Sequence, residues 1–363
     1  MKLLISTYKY RNLAYNKSLK IEEVDNGSIL PLYENKGGVV NEKGDFVSLS
    51  YHDGEWFKLG GKYDCDSSLV KESNLEVVYL GVFIHQWGHF ILDSLSRAWI
   101  VSHLKDTKKY KYVFLSENDS EIKGNYLEAL TLLGLQASQI IVLSKPTKFR
   151  KIIIPQMATD KNHGFNKEYP MIFKTMIRNA DVKSISVPAK VYLTRTNLKA
   201  AQNKEYGEKI IENNFKKNDY TVISPEKLNV KEQIAIFQNA KEVVCLNGSI
   251  PFDIVFASKK LKLIVINKTS LLHINLYELS AVSGIKPIYI NGYYEPFKNF
   301  PKTLGEGPFL LMFGSELEDF FKNRNMKYTI PSNYPSKLVL GKYTLNCLKI
   351  TTKDIIKKML RRA

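Results

Sequence analysis

Apolar residues change their spacing along this chain, and the changes divide it into regions. Up to residue 76 they come in short groups broken by glycine, asparagine and aspartate, which reads as an irregular, β-rich start. Within it, Gly37 to Leu49 has the pattern of a hairpin with a turn near Asn41–Gly44. From Val77 to Ile84 the chain is continuously apolar, as in a buried strand, and it then turns helix-periodic from Gln86 to about Leu104. Strand Tyr112–Leu115, helix Glu121–Leu133 and short strands Ile140–Leu143 and Lys151–Ile154 are expected next. Residues 155–187 are polar, with a turn at Asn162 and His163, a helix over Pro170–Asn179, and a linker over Asp181–Pro188.

The second half alternates more cleanly. Expected strands are Lys190–Leu193, Thr221–Ile223, Glu242–Leu246, Leu261–Ile266 and Pro287–Ile290. Between them fall helices Lys204–Asn213, Val230–Asn239, one from Pro251, and Ile274–Val282. Strands and helices alternating at this length imply βαβ units on a parallel sheet. The fold class expected is therefore α/β, with a Rossmann-like lobe in each half. Residues 1–183 form the first, 184–312 the second, and 313–363 a closing segment, packed back on the first lobe or on a membrane, that ends in a basic helix with a capping-box start at Thr351–Asp354.

Composition narrows the class. In 363 residues, 53 Lys+Arg against 36 Asp+Glu leave a net charge of +17, which suits polyanions or a membrane surface, or merely solubility. The basic residues are dispersed and not interleaved with stacking aromatics, so nucleic acid is not an expected partner. Three cysteines without a CxxC argue against a disulfide scaffold and for a reducing compartment. The apolar run after Met1 is too short for a signal peptide, and no window is long enough for a membrane span. A cytoplasmic protein is expected, docked or undocked at the inner face of the membrane.

The richest chemistry follows the strand Val77–Ile84. On a regular helix, His85, His89 and Asp93 would share one face, with Arg97 beyond them. Three readings stand side by side: a packed helix that happens to carry polar groups, a zinc site, or a carboxylate base supported by an imidazole. The zinc-hydrolase pattern needs a glutamate after the first histidine, where this chain has Gln86. A second candidate is the turn Asn247, Gly248 and Ser249 between a strand and a helix beginning near Pro251, where free N–H groups can hold a phosphate. A third is Arg195, at the carboxyl end of an expected parallel strand, where α/β ligands bind. Asp64 and Asp66 form a lone D-x-D in the irregular region and read as a loop.

These pieces occur in an order that resembles glycosyltransferase family 61. The strand followed by His85, His89, Phe90, Asp93, Leu95 and Arg97 resembles that family's N-terminal motif. Val191–Arg195 is similar to its Tyr-(Ile/Leu)-Ser-Arg strand, and Glu205 sits near its Asn-Glu. Pro225–Leu228 with Glu232–Phe237 and Ala240 resembles a further segment, and Asn247–Ser249 occupies the place of its His-Gly-Ala-Gly turn. The chain departs from the pattern at Asn247, Ile250 and Asp253 and in the run after Arg195, all on the expected donor side.

The resemblance implies a two-lobe (GT-B) enzyme, inverting and independent of metal or other cofactor, active in the cleft between its lobes. It implies Asp93 as base and His89 orienting it, with His85 and Arg97 supporting the acceptor. It places Arg195, Glu205, Asn247, Gly248 and Ser249 on a nucleotide-diphosphate sugar, a UDP-sugar by expectation. With the Lys/Ile/Asn/Tyr-heavy composition, the partners expected are that donor and a glycan acceptor, lipid-linked in bacterial capsule or surface-polysaccharide synthesis. The alternative is a non-catalytic glycan- or nucleotide-binding protein on the same scaffold.

Overall fold

A computed structural model describes residues 13–54, 57–116, 121–160 and 164–360. The expected turn at Asn162 and His163, the residues after Met1, and Arg361 and Arg362 lie outside the described residues. The chain divides into two compact units, Met1–Asp181 with Ala281–Gly284, and Val182–Ser280 with Ile285–Ala363.

The first unit is built on a mixed seven-stranded sheet. Its strands are β1 (Ile21–Asp25), β2 (Ser28–Tyr33), β3 (Lys36–Val40), β4 (Lys71–Val82), β5 (Lys111–Leu115), β6 (Ile140–Leu143) and β7 (Thr147–Pro155). The twelve-residue β4 is central, with β5 and β7 parallel to it on either side, while β1 and β2 pair antiparallel with β7. Val77, Tyr79, Val113, Leu115, Ile152 and Ile154 pack into one core, as expected of strands covered on their faces. The turn at Asn41–Gly44 forms, with Gly44 in the left-handed region at φ 81°, but the hairpin it closes is a single bridge between Val40 and Phe46. Helix α1 spans Asn125–Leu132, starting later than expected because Gly124 has φ 56° and interrupts the helical path. Helix α2 spans Glu168–Ala180.

The second unit carries a five-stranded, wholly parallel sheet: β8 (Lys190–Leu193), β9 (Thr221–Ile223), β10 (Glu242–Leu246), β11 (Lys262–Asn267) and β12 (Ile288–Asn291). The spatial order is β9-β8-β10-β11-β12, so the winding reverses between β8 and β10. In such sheets ligands bind outside the carboxyl ends of the strands at that reversal. Helices α3 (Glu208–Lys216), α4 (Val230–Asn239), α5 (Ile274–Ser283) and α6 (Ser315–Asn323) follow strands of this unit. Asn229 and Glu232 cap α4 reciprocally.

Three expectations are corrected here. Residues 204–207 are not helical: Glu205 and Tyr206 pair as a short parallel strand with Phe309 and Leu310, and Gly207 turns the chain at φ 97° into α3. The helix expected from Pro251 does form, as a seven-residue 3₁₀ helix over Ile250–Phe256. Residues 313–360 are no separate segment. Phe313, Leu317 and Phe321 pack in the second unit's core with Tyr192, Val244 and Ile264. The closing helix α7 is one 24-residue element, Lys337–Leu360, and Thr351 lies in its middle with its hydroxyl bonded back to the Cys347 carbonyl, not at a cap.

A Cβ at Gly207 would lie 2.4 Å from the Leu311 carbonyl oxygen, and its backbone is left-handed. Gly207→Ala is therefore expected to cost at least about 2 kcal/mol, summing strain and loss of the 205–206 pairing. Denaturant unfolding checks this; a midpoint equal to that of the parent would contradict it.

Candidate active site

The helical stretch after β4 is broken into turns of different pitch. An α-turn over Trp87–His89 passes into a π-turn over Phe90–Ser94 and a 3₁₀ turn over Ala98–Ser102. π-turns are uncommon and recur at functional positions. A tertiary bond holds this one, the Tyr169 hydroxyl donating to the Ile91 carbonyl (2.7 Å), and the Trp99 indole anchors the 3₁₀ turn by donating to the Gln156 carbonyl (2.8 Å).

The expected grouping of His85 with His89 and Asp93 is corrected. Gln86 is the N-cap, accepting from the His89 backbone N–H at 2.7 Å, so His85 precedes the helix. Its ring packs on Tyr126, with centroids 5.1 Å apart. His89 and Asp93 do meet, with Nδ1 3.0 Å from Oδ2. The other oxygen of Asp93 faces His52, a residue the sequence did not single out, with Nε2 3.4 Å from Oδ1. Asp93 is 9% exposed. Burial works to raise its carboxyl, but the His52 and His89 imidazoles outweigh it and hold the group below the ordinary carboxylate value. Gly54 completes the enclosure, since a Cβ there would lie 2.6 Å from Asp93 Oδ1 and 2.8 Å from His52 Nε2.

Arg97 is 1% exposed. Its guanidinium donates to the Pro155 carbonyl and, at 2.8 Å, to the Tyr51 carbonyl, and lies 5.7 Å from the Tyr79 ring centroid. Burial pulls its pKa down to about 10. Arg97 thus links the end of β7 to the residue before His52, which makes it a positioning residue for the histidine. It fits against β4 because Gly81, at φ 92°, has no Cβ to meet Arg97 Nε at 3.1 Å.

In the second unit the candidates gather at the carboxyl ends of β8, β10 and β11. Glu205, only 3% exposed on its side chain, is bonded by Arg195 Nε and by Lys268 Nζ, each at 2.7 Å. Burial would raise the Glu205 carboxyl, but the two cations hold it below its ordinary value. Burial pulls the Lys268 ammonium down. Two cations on one carboxylate leave one positive charge, and both reach the turn at Gly248, whose Cβ position is 3.8 Å from Lys268 Nζ and 4.0 Å from Arg195. Because the following 3₁₀ helix is short, attraction for an anion here rests on these cations more than on a helix dipole.

Asn247 is part of a row of amides. Glu316 accepts from Asn291 Nδ2 (2.7 Å), Asn291 from Asn267 (2.9 Å), and Asn267 from Asn247 (3.0 Å). A carboxylate only accepts, so every amide in the row is oriented by Glu316. Asn247 Oδ1 must then accept from His273 Nδ1, 2.7 Å away. Lys268 could have been suspected, since it directly follows an apolar strand, as Arg195 follows one after Thr194. His52 offered no periodicity, only its rarity as one of six histidines.

Among the described residues no group of three or more His, Cys, Asp or Glu is arranged to hold a metal ion. Asp66 caps a short turn by accepting from the Ser68 N–H at 2.9 Å.

The second unit thus offers a pair of cations at the reversal of a wound parallel sheet, and the first an enclosed carboxylate–imidazole cluster. Comparison with known families is specific: residues 87–264 match the model described as Glycosyltransferase 61. The match over this stretch supports a glycosyltransferase of family 61, which implies a sugar donor and a glycan acceptor. The matched stretch includes His89, Asp93, Arg97, Arg195, Glu205 and Asn247, and excludes His52, Lys268 and His273. No curated protein matches the chain.

Glu208 supplies a stability test of this region. Its Oε1 accepts from the Arg195 N–H (3.0 Å) and the Tyr192 hydroxyl (3.2 Å). Burial raises its carboxyl to about 7 from the usual 4.5. A raised folded pKa means the folded state holds the proton longer, so this contribution is complete below about 4.5 and is lost as pH rises through about 7. The loss is of order 3 kcal/mol. Glu208→Gln should flatten the change in Tm between pH 5 and pH 7, and an equal change in variant and parent would refute it.

Proposed function

We propose that the chain is an inverting, metal-independent glycosyltransferase that moves a sugar from a nucleotide-diphosphate donor, a UDP-sugar, to a hydroxyl of a glycan acceptor. The observation that carries this reading is the buried Asp93 carboxylate held between His52 and His89. The acceptor oxygen attacks the anomeric carbon, the bond from that carbon to the diphosphate breaks, and the hydroxyl proton passes to the enzyme.

Geometry favours His89 as the group that takes the proton, reversing the roles expected from sequence. Asp93 is enclosed and held below its ordinary pKa, which makes it a weak base. His89 is more exposed, and with Nδ1–H on Asp93 its Nε2 is the basic nitrogen. Asp93 then orients the ring and stabilises the imidazolium, as in other His–Asp pairs. Asp93→Asn and His89→Gln are each expected to lower kcat by at least ~100-fold. Near-normal turnover of His89→Gln with a crippled Asp93→Asn would return the base to Asp93, and near-normal turnover of both would remove the pair from the chemistry.

Arg195 and Lys268, with the Asn247–Ser249 turn, form the proposed diphosphate site on a two-lobe (GT-B) plan. Position at the winding reversal and the surplus positive charge support it. Arg195→Ala is expected to weaken nucleoside-diphosphate binding by about 1.5–3 kcal/mol, read by calorimetry. Turnover is expected to persist in EDTA. Activity lost in EDTA and regained with Mg²⁺ or Mn²⁺ would overturn the metal-independent mechanism. The composition supports a bacterial cytoplasmic enzyme of surface-polysaccharide synthesis, working on a lipid-linked acceptor at the inner face of the membrane.

A further inference from the structure

The closing helix α7 has two apolar stripes on opposite faces, and one of them is covered. Tyr343, Cys347 and Ile350, spaced four and three residues apart, face Phe300 and Leu310 of the second unit. The Tyr343 ring stacks on Phe297, Asn346 donates to the Asn203 carbonyl at 2.7 Å, and Asp354 continues this face by pairing with Lys302. The other stripe is Leu338, Leu345, Leu348, Ile355 and Met359, with Ile356 and Leu360 beside it. All seven are exposed, from 47% at Ile355 to 73% at Leu360. So large an apolar stripe in contact with water marks an interaction surface.

Charge identifies what covers it. Helix α7 carries Lys337, Lys342, Lys349, Lys353, Lys357 and Lys358, and Asp354, already paired, is its one acidic residue. Lys342, Lys349 and Lys353 follow one another at spacings of seven and four, so they run along one side of the exposed stripe. A second copy of the helix would bring these lysines against each other, and the chain as a whole carries +17. A negatively charged lipid surface satisfies both features at once, taking the apolar side chains below its headgroups while the lysine stems reach up to phosphate. Among the described residues no helix is long and apolar enough to cross a membrane, so the helix would lie in the surface plane.

We propose that the stripe from Leu338 to Leu360 is a docking surface for an anionic phospholipid bilayer. The inference rests on the proposed work at a membrane and not on the residues assigned to the transfer reaction. It is tested by co-sedimentation of the full chain with vesicles of phosphatidylcholine, alone or mixed with phosphatidylglycerol. Binding is expected only to the mixed vesicles, and it should fall at high salt. Leu345→Ser/Leu348→Ser/Met359→Ser and Lys342→Glu/Lys349→Glu/Lys353→Glu should each lose at least ~10-fold in partitioning, since each basic residue alone is worth about fivefold. Both sets lie on the exposed side of the helix, so far-UV circular dichroism and turnover of a water-soluble acceptor should be unchanged. Failure of the parent to bind mixed vesicles, or undiminished binding by the serine variant, overturns the proposal. So does a parental dimer that the serine variant converts to monomer, which would make a second copy the occupant. Vesicle binding without turnover would leave the docking surface standing and remove the transferase mechanism instead.

Discussion

Removing a carboxylate from water costs several kcal/mol unless donors or cations replace the lost solvent, and each unit of this protein is arranged around one such group. In the first unit it is Asp93, in contact with two imidazoles. In the second it is Glu205, held by a guanidinium and an ammonium. Much of the surrounding construction maintains these contacts: Gly54 leaves room beside Asp93, Arg97 fixes the carbonyl before His52, and the Glu205–Tyr206 strand pairing aims Glu205 at its cations. The two solutions differ chemically. Imidazoles can give and take protons near neutral pH, whereas the Arg195–Lys268 pair keeps a surplus charge that suits an anion.

The parallel sheet of the second unit explains why its site sits where it does. Parallel strands all end on the same side, so residues at or just after the ends of β8, β10, β11 and β12 are brought together there although they lie tens of residues apart in sequence. Arg195, Asn247, Lys268 and Asn291 are those residues. The amide row from Glu316 to His273 runs across three of those ends. Because each amide gives in one direction and accepts in the other, a single carboxylate orients the whole row. Asn247 is therefore committed to protein partners on both sides of its amide, and the neighbouring Gly248 is the point in that turn closest to the two cations.

Local pattern was sufficient for much of this protein. The apolar run before Ile84, the strand–helix alternation after Pro188 and the capped helix Val230–Asn239 were legible because burial on a regular element imposes a period on the sequence. The order of motifs from His89 to Asn247 was legible enough to indicate the family. Contacts between distant segments leave no period. Glu205 lies in a strand because Phe309 and Leu310 pair with it, the turns after Ile84 depart from a regular helix and leave His85 outside, and α7 continues past Thr351 without a cap. Nothing around His52 in the sequence connects it with Asp93, or Lys268 with Glu205. The sequence determined which elements form and which residue types they carry; the tertiary structure decided which side chains share a buried charge, because desolvation and hydrogen bonding act through space and not along the chain.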